Sequence, residues 1–86
     1  MKGTTIFKLK QHVTEDDLVS AGYRIACTGV CKELPSGCEI YISLIESSSY
    51  EQRVIQYNEL GTDPEELNPE DIEDLVARGW VEEIKK

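Results

Sequence analysis

The three cysteines of this 86-residue chain lie close together, in the stretch CTGVCKELPSGC, at Cys27, Cys31 and Cys38. Structural zinc sites usually contain ligand pairs two to four residues apart, so the first two thiols have a permitted spacing. Together with His12, the sole histidine, they define one hypothesis, a small metal-binding domain. Backbone geometry favours another interpretation, because positions four apart on an extended strand are separated by about 13 Å. We therefore predict thiols buried on a sheet, without a disulfide, and we predict no metal or other cofactor.

No other group of residues in the sequence predicts catalysis. A Ser-His-Asp or Cys-His arrangement needs a histidine beside a nucleophile, and nothing in the pattern places His12 there. Acid pairs such as Glu65 and Glu66 could supply acid–base chemistry, but catalytic carboxylates need a pocket that small domains seldom form. The six glycines are scattered and form no phosphate-binding loop. We therefore predict no catalytic residues, and an enzyme is the least favoured hypothesis.

Size and composition predict one soluble domain that spans residues 1–86. Hydrophobic residues make up 40% of the chain and charged residues 30%, as in ordinary globular domains. No apolar run approaches the ~18 residues of a membrane span, so we expect no interaction with a membrane. An odd number of cysteines and the lack of an apolar export signal favour reduced thiols and a cytoplasmic location.

The chain is acidic, with 17 Asp and Glu residues, 9 Lys and Arg residues and a net charge of -8. Such a protein should repel phosphate groups, so we expect no direct binding of nucleic acid. The densest run, from Asp63 to Asp74, contains seven carboxylates and no basic residue. Two of them fall in the first turn of a predicted helix, where the helix dipole favours acids. The other five form either a surface for a basic protein partner or a solvated helix face: Asp63, Glu65, Glu66, Glu73 and Asp74.

Two segments, 13–23 and 67–80, share a pattern that predicts short helices. Each opens with an apolar residue and an N-cap, Thr14 or Asn68, followed by acids through the first turn. In the second segment Pro69 takes the first helical position, where its missing N–H costs nothing. Each segment closes with a glycine that fits the left-handed conformation ending a helix. The aromatic residue after each glycine should turn back into the core.

The residues between these helices predict strands. Segments 23–34 and 38–46 are rich in β-branched and aromatic residues, and LPSG joins them as a hairpin. A two-residue turn at Ser36–Gly37 would unite their apolar faces, whereas a type I turn at Pro35–Ser36 with a bulged glycine would separate them. We favour the first register because it buries one continuous face.

In that register the back of the sheet is half apolar. Either the helices cover this face, or it binds a protein partner or a second copy of the chain. Its apolar residues include Val30, Tyr41, Ile45 and Val54.

Segment 50–60 fits either a helix or a strand. We favour the strand, because pairing Ile42 with Ile55 and Ile40 with Tyr57 extends the apolar face. TTIFKLK near the start predicts another strand, and VEEIKK at the end predicts a short strand or a tail. The order β-α-β-β-β-α-(β) describes an α+β domain with a small antiparallel sheet of three to five strands and two short helices.

Parts of the chain resemble a group of small phage and prophage proteins of low-GC Gram-positive bacteria. The segments that carry the resemblance are VTEDDLVSAGYR, a strand containing R-V-I, and the ending DIEDLVARGWVEE. Such proteins often combine an opening D-V-x-x-x-x-L-x-x-x-G plus an aromatic residue with an ending DL-x-x-x-G. The matched positions are caps and core positions in about a third of the chain. The resemblance implies a viral or prophage origin and carries no functional residues over.

The leading hypothesis is a small acidic protein-interaction or regulatory module without catalytic activity. It would act on a protein partner through the acidic run or through the half-apolar sheet face, and homo-oligomers are compatible with the latter. A zinc-binding domain that uses the three cysteines is the alternative.

Overall fold

The computed structural model describes residues 5–46, 51–58 and 64–85, and of Glu65 and Lys85 it describes the backbone alone. The elements in chain order are β1 (Thr5–Leu9), α1 (Glu15–Ser20), β2 (Arg24–Ile25), β3 (Gly29–Glu33), β4 (Glu39–Ser43), β5 (Ile55–Tyr57), 3-10 turns at Pro64–Glu66 and Pro69–Ile72, α2 (Glu73–Arg78) and β6 (Val81–Lys85). One antiparallel sheet has the order β2-β3-β4-β5, and β1 pairs with β6 in a second. The predicted α+β class, antiparallel pairing and two short helices are confirmed, with the strands divided between two sheets.

Both helices begin as the sequence predicts. The Thr14 hydroxyl accepts a hydrogen bond from the Asp17 N–H at 3.2 Å, and the Asp17 carboxylate accepts one from the Thr14 N–H at 3.0 Å. The Asn68 side chain caps the second segment by accepting a hydrogen bond from the Glu70 N–H at 3.1 Å. This segment starts as a 3-10 turn and continues as α2, which ends at Gly79 in the left-handed conformation, with φ of 72°.

The first and last strands pair along their whole length, from Thr5 opposite Lys85 to Leu9 opposite Val81. Phe7 and Leu9 are buried, as predicted from the alternation in TTIFKLK. The VEEIKK segment therefore forms a strand and not a tail over its described residues.

The hairpin between β3 and β4 has the register that we did not favour. The Gly37 N–H donates to the Leu34 carbonyl at 2.9 Å, which closes a type I turn over the proline and serine, and Gly37 has a φ of 98°. Cys31 consequently pairs with Tyr41, and Val30 pairs with Ile42. The prediction of a two-residue turn is wrong because Pro35 and Gly37 both fit the bulged turn. In this register a valine, and not a cysteine, faces the core.

Segment 23–34, predicted as one strand, is a hairpin that turns at Cys27–Thr28. The Ala26 N–H donates to the Gly29 carbonyl at 2.8 Å, so the chain reverses between β2 and β3. Gly29 allows a close approach of the next strand, because a Cβ at this position would lie 2.0 Å from the Ile42 carbonyl oxygen. The prediction of an extended Thr28–Val30 segment is correct from Gly29 onward only.

The strand interpretation of segment 50–60 is confirmed for its described residues. Ile42 pairs with Ile55 and Ile40 pairs with Tyr57. These strands, the inner side of β1 and both helical segments enclose the hydrophobic core. Its buried residues are Phe7, Leu9, Val13, Leu18, Tyr23, Val30, Leu34, Ile40, Ile42, Ile55, Leu67, Ile72 and Leu75.

Arg53 joins the two sheets, and it is the sole non-glycine residue with positive φ (66°) in the described parts of the chain. Its N–H donates to the Ser43 carbonyl at 2.7 Å, and its carbonyl accepts a hydrogen bond from the Leu9 N–H at 2.9 Å. Its guanidinium Nη1 donates to the carbonyls of Lys10 at 3.0 Å and Val13 at 3.1 Å. The residue therefore holds β1 and the loop before α1 against the four-stranded sheet.

We predict that Arg53→Ala lowers the free energy of unfolding by about 1–3 kcal/mol, because two carbonyls lose a charged donor. Arg53→Lys keeps the positive charge but replaces the planar guanidinium group with an ammonium group. It should therefore recover part of the lost free energy of unfolding. Arg53→Gly also removes the guanidinium but relieves the left-handed backbone, so it should be more stable than Arg53→Ala. Urea denaturation measures all three, and an unchanged midpoint for Arg53→Ala would contradict the assignment.

Candidate functional site

An open groove of about 930 Å³ lies beside α2, between this helix and the β1–β6 pair. Its apolar lining residues are Phe7, Pro69, Val76, Ala77 and Val81. Its acidic lining residues are Glu70, Glu73, Asp74 and Glu83. We call this feature the α2–β6 groove.

Helical spacing brings together the residues on the α2 side of the groove. Glu70, Glu73 and Ala77 are separated by three and four residues, so they lie on the same side of the helical segment. Ile72 and Leu75 are fully buried and hold the opposite side against the core. The same pattern that packs the helix therefore leaves a row of acidic and small residues facing the groove.

The antiparallel register of β1 and β6 supplies the other side of the groove. Phe7 pairs with Glu83, and Leu9 pairs with Val81. Side chains at paired positions lie on the same face of a sheet. Because Phe7 and Leu9 are buried in the core, Val81 and Glu83 lie on the inner face, next to α2.

Val76 is an apolar residue that the core does not use. Its side chain is 48% exposed, while its neighbour Leu75 is fully buried. A single exposed valine is ordinary on a protein surface. Here it lines the groove together with Ala77 and Val81, so it adds to the apolar part of the groove lining.

The groove carries an excess of negative charge. The acidic lining residues that form no ion pair with any described residue are Glu70, Glu73 and Glu83. Asp74 pairs with Lys32, with 3.3 Å between the Nζ and Oδ2 atoms. Arg78, the cation at the end of α2, lies over the Trp80 ring at 5.0 Å from its centroid. Among the described residues, three carboxylates around an apolar surface therefore have no ion-pair partner.

A second depression, of about 740 Å³, lies on the other side of the same acids. Residues of the β3–β4 turn, such as Pro35, line its far side. Glu70, Glu73 and Asp74 line both depressions, so they form a ridge between them.

Tyr57 holds the start of this helical segment against the four-stranded sheet. Its hydroxyl accepts a hydrogen bond from the Asn68 N–H at 3.2 Å and donates one to the Asp71 carboxylate at 2.5 Å. Burial raises the pKa of the Tyr57 hydroxyl, and the hydrogen bond to Asp71 raises it further. The hydroxyl therefore stays protonated and able to donate to the carboxylate.

Tyr23 lies beneath the ion pair at the edge of the second depression. It is 3% exposed, and the Lys32 ammonium lies 5.4 Å from its ring centroid. Its hydroxyl has no hydrogen-bond partner among the described residues. Burial raises the pKa of this hydroxyl strongly, and the charge of Asp74 adds to the rise.

The predicted acidic surface is only partly assembled. Asp63 lies outside the described residues, and the side chain of Glu65 does too. Glu66 is exposed on a separate 3-10 turn and does not line the groove. Glu73 and Asp74 do line it.

The sequence interpretation missed two acids of the groove. The sequence pattern attributes Glu70 to the helix dipole, and Glu83 lies in a segment that fits either a strand or a tail. The sequence contains one signal of this groove, the adjacent apolar residues Leu75 and Val76. A helix that packs on one side buries only one of two adjacent residues, so the other is left exposed and can mark a binding surface.

The predicted sheet face does not form one surface. Val30 is fully buried on the core side of the sheet, and the changed hairpin register places Tyr41, 5% exposed, on the opposite side. Val54 is 2% exposed, whereas Ile45, beyond the end of β4, is 51% exposed. These four residues therefore offer no continuous apolar face to a partner.

The cysteines are free thiols in three different environments. Cys31 is buried, but Cys27 and Cys38 are exposed in the turns at opposite ends of β3, so the prediction of inward thiols is wrong for these two. His12 is exposed in the turn after β1. Among the described residues, no group of three or more His, Cys, Asp or Glu side chains could hold a metal ion. Burial raises the pKa of the Cys31 thiol, and the nearby Glu39 carboxylate adds to this effect.

These features define a class of protein, a small α+β domain with an acidic, apolar-lined groove beside its second helix. Comparison with protein-family models, curated proteins and solved structures finds no match. Within the part of the chain that the structure describes, no helix is long and apolar enough to cross a membrane.

Tyr23, which is buried, and Tyr57, which is half-buried, predict opposite mutational effects. Tyr57→Phe should lower the free energy of unfolding by about 1–3 kcal/mol, because the Asn68 N–H and the Asp71 carboxylate lose a partner. Tyr23→Phe removes a hydroxyl without a partner, so stability at neutral pH should be unchanged or higher by up to about 1 kcal/mol. Denaturation in urea measures both variants, and an equal loss in the two would contradict the assigned hydrogen bonds.

The same hydroxyls predict a loss of stability at alkaline pH. The pKa of each is raised in the folded protein, so the unfolded chain releases these protons first as the pH rises above 10.0. The unfolded state is thereby favoured, and the free energy of unfolding should fall above that pH. Tyr23→Phe should make the fall shallower, and an identical pH profile would refute the role of this residue.

Thiol reactivity should separate the three cysteines. Cys27 and Cys38 should react rapidly with an aromatic disulfide reagent in the folded protein, whereas Cys31 should react only on unfolding, because its burial and raised pKa suppress the thiolate. The double variant Cys27→Ser/Cys38→Ser should show no rapid phase. A rapid reaction in this variant would mean that the third thiol is accessible.

Proposed function

We propose that the protein is a non-catalytic protein-interaction module that binds a basic, partly apolar segment of a partner protein in the α2–β6 groove. The observation that carries this proposal is one groove that combines an apolar lining with three carboxylates that form no ion pair with a described residue. Apolar contacts supply affinity through the removal of surface from water. The carboxylates select for Lys and Arg and against acidic segments.

The shape of the groove supports a short segment as the ligand. A helix forms one side and a strand pair the other, and the groove is open to solvent. Extended peptides and amphipathic helices both bind proteins in grooves of this kind. Val76 and Val81 would contact apolar side chains of the segment, while Glu73 and Glu83 would face its cations from opposite sides.

The charge of the whole chain supports the same type of ligand. With a net charge of -8, the protein should attract cationic segments over a distance and repel phosphate groups. Binding should therefore weaken as salt is added, because the carboxylates are exposed and screened. This dependence distinguishes the proposed ligand from a purely apolar one.

Several further expectations rest on the sequence and stay predictions. They are a regulatory role, a cytoplasmic location and a phage or prophage origin. Free thiols at the exposed Cys27 and Cys38 support a reducing compartment, since exposed cysteines in an oxidising one tend to form disulfides.

The proposal predicts that a short amphipathic peptide of leucine and lysine binds the protein, and that the same peptide with glutamate in place of lysine does not. Amide chemical shifts measured by NMR should move for residues that line the α2–β6 groove. Glu70→Gln/Glu73→Gln should weaken binding about three- to thirtyfold, from two exposed charge contacts. It should also reduce the dependence of binding on salt.

Two further variants serve as controls for this experiment. Glu46→Gln/Glu51→Gln makes the same change in net charge at exposed positions outside the groove and should bind almost as the wild type does. Val76→Ser should weaken binding without changing its salt dependence, because it removes an apolar contact alone. Equal losses in both charge variants, or shifts away from the groove, would refute the assignment of this site.

A further inference from the structure

The strand β6 forms an edge of the fold. Among the described residues it pairs with β1 alone. Glu82 and Glu83 are exposed on it, and Ile84 is 37% exposed. An edge strand presents a row of backbone N–H and C=O groups that another strand can bind.

The backbone groups on the free edge follow from the β1–β6 register. The Lys10 N–H donates to the Trp80 carbonyl at 2.9 Å, one pair beyond the end of the two strands. Along an antiparallel strand, the N–H and C=O groups of one residue point to the neighbouring strand on one side, and those of the next residue point to the other side. The even-numbered positions of β6 therefore direct their N–H and C=O groups toward β1, and the odd-numbered positions direct theirs away from it.

The charges on either side of Ile84 are opposite in sign. Positions 83–85 of β6 read EIK, an acid, an isoleucine and a lysine. When two copies of β6 lie antiparallel and centred on Ile84, position 83 stands opposite position 85 of the second copy, so a glutamate is placed against a lysine. This charge pair occurs twice, because such an interface is symmetric.

We propose that β6 pairs antiparallel with β6 of a second copy of this chain, about a two-fold axis at Ile84. The backbone pattern agrees with this register, because positions 83 and 85 both face outward and can exchange hydrogen bonds across the interface. The two Ile84 side chains then fall at a non-hydrogen-bonded pair, where side chains approach most closely.

The charge pattern makes this pairing selective. A register centred on Glu83 would place that carboxylate opposite its own counterpart, and like charges directly opposite each other are destabilising. A parallel copy would place acids against acids and lysines against lysines. Charged residues on an edge strand normally prevent the addition of unrelated strands. The charges on β6 instead favour an antiparallel second copy in the register centred on Ile84.

The pairing should be weak and dependent on concentration. Its contact area is that of one short strand, well below the roughly 1,200 Å² that stable complexes bury. We therefore expect dissociation constants in the range of hundreds of micromolar. The interface uses the edge of β6 and a different partner from the groove, but Glu83 belongs to both, so dimerisation and ligand binding would compete for this carboxylate. The dimer is measured without peptide, so its outcome is separate from that of the peptide experiment.

Sedimentation equilibrium at protein concentrations up to about 1 mM tests the proposal, with the range set by the expected weak affinity. The wild type should form a dimer at high concentration. On dilution, the NMR amide signals of β6 should shift more than those of the other elements. A strict monomer, or dilution shifts confined to other elements, would overturn the proposal. This measurement needs no variant, so it stands whether or not the variants fold.

A second experiment tests the register by reversing the charge at position 83 or at position 85. Glu83→Lys and Lys85→Glu each place like charges together twice, so each variant should dimerise on the order of tenfold more weakly than the wild type. An equimolar mixture of the two variants should regain wild-type affinity as a heterodimer, because every pair is again of opposite charge. Glu46→Lys makes the same charge change as Glu83→Lys away from β6 and should leave the dimer intact. Circular dichroism confirms the fold of each variant, and a mixture of folded variants that stays monomeric would refute the register.

Discussion

The position of one sheet relative to the other depends strongly on the backbone of one residue, Arg53. Its N–H binds the carbonyl of Ser43 in one sheet, and its carbonyl binds the N–H of Leu9 in the other. The left-handed backbone that makes this possible costs about 1–3 kcal/mol in a non-glycine residue. The two guanidinium hydrogen bonds to the carbonyls of Lys10 and Val13 offset that cost. Because β1 is fixed there, β6 and one side of the α2–β6 groove are fixed as well.

Features specified by residues close in sequence could be predicted. The caps at Thr14 and Asn68 and the glycine end of α2 depend on a few neighbouring residues, and all three are confirmed. The pairing of β4 with β5 was also predictable, because the apolar alternation on both strands allows few registers. The β3–β4 register was not, since local turn chemistry at Pro35 and Gly37 competed with an argument from burial. The turn prevailed because a core strand supplies the same burial with Val30 as with Cys31.

The candidate site was less predictable than the fold, for a reason of topology. An acidic run is visible in the sequence, and two of its members, Glu73 and Asp74, line the groove. The opposite side of the groove comes from Phe7 and Glu83, which lie near opposite ends of the chain and meet only through the β1–β6 register. No local pattern specifies that meeting. Long-range pairing therefore turns an unremarkable acidic helix face into one side of a groove.

The acids of the groove differ in what they do for the fold. Asp74 forms an ion pair with Lys32, and the helix dipole favours Glu70 and Glu73 in first turns. Glu83 has no such role: it is exposed on a strand, has no ion pair among the described residues, and faces the other carboxylates across an apolar groove. In a chain with a net charge of -8, this position adds repulsion and removes stability. A cation brought by a ligand would convert that repulsion into attraction on both sides of the groove. The described contacts of the fold do not account for the charge of Glu83, and this supports the proposed binding of a cationic segment.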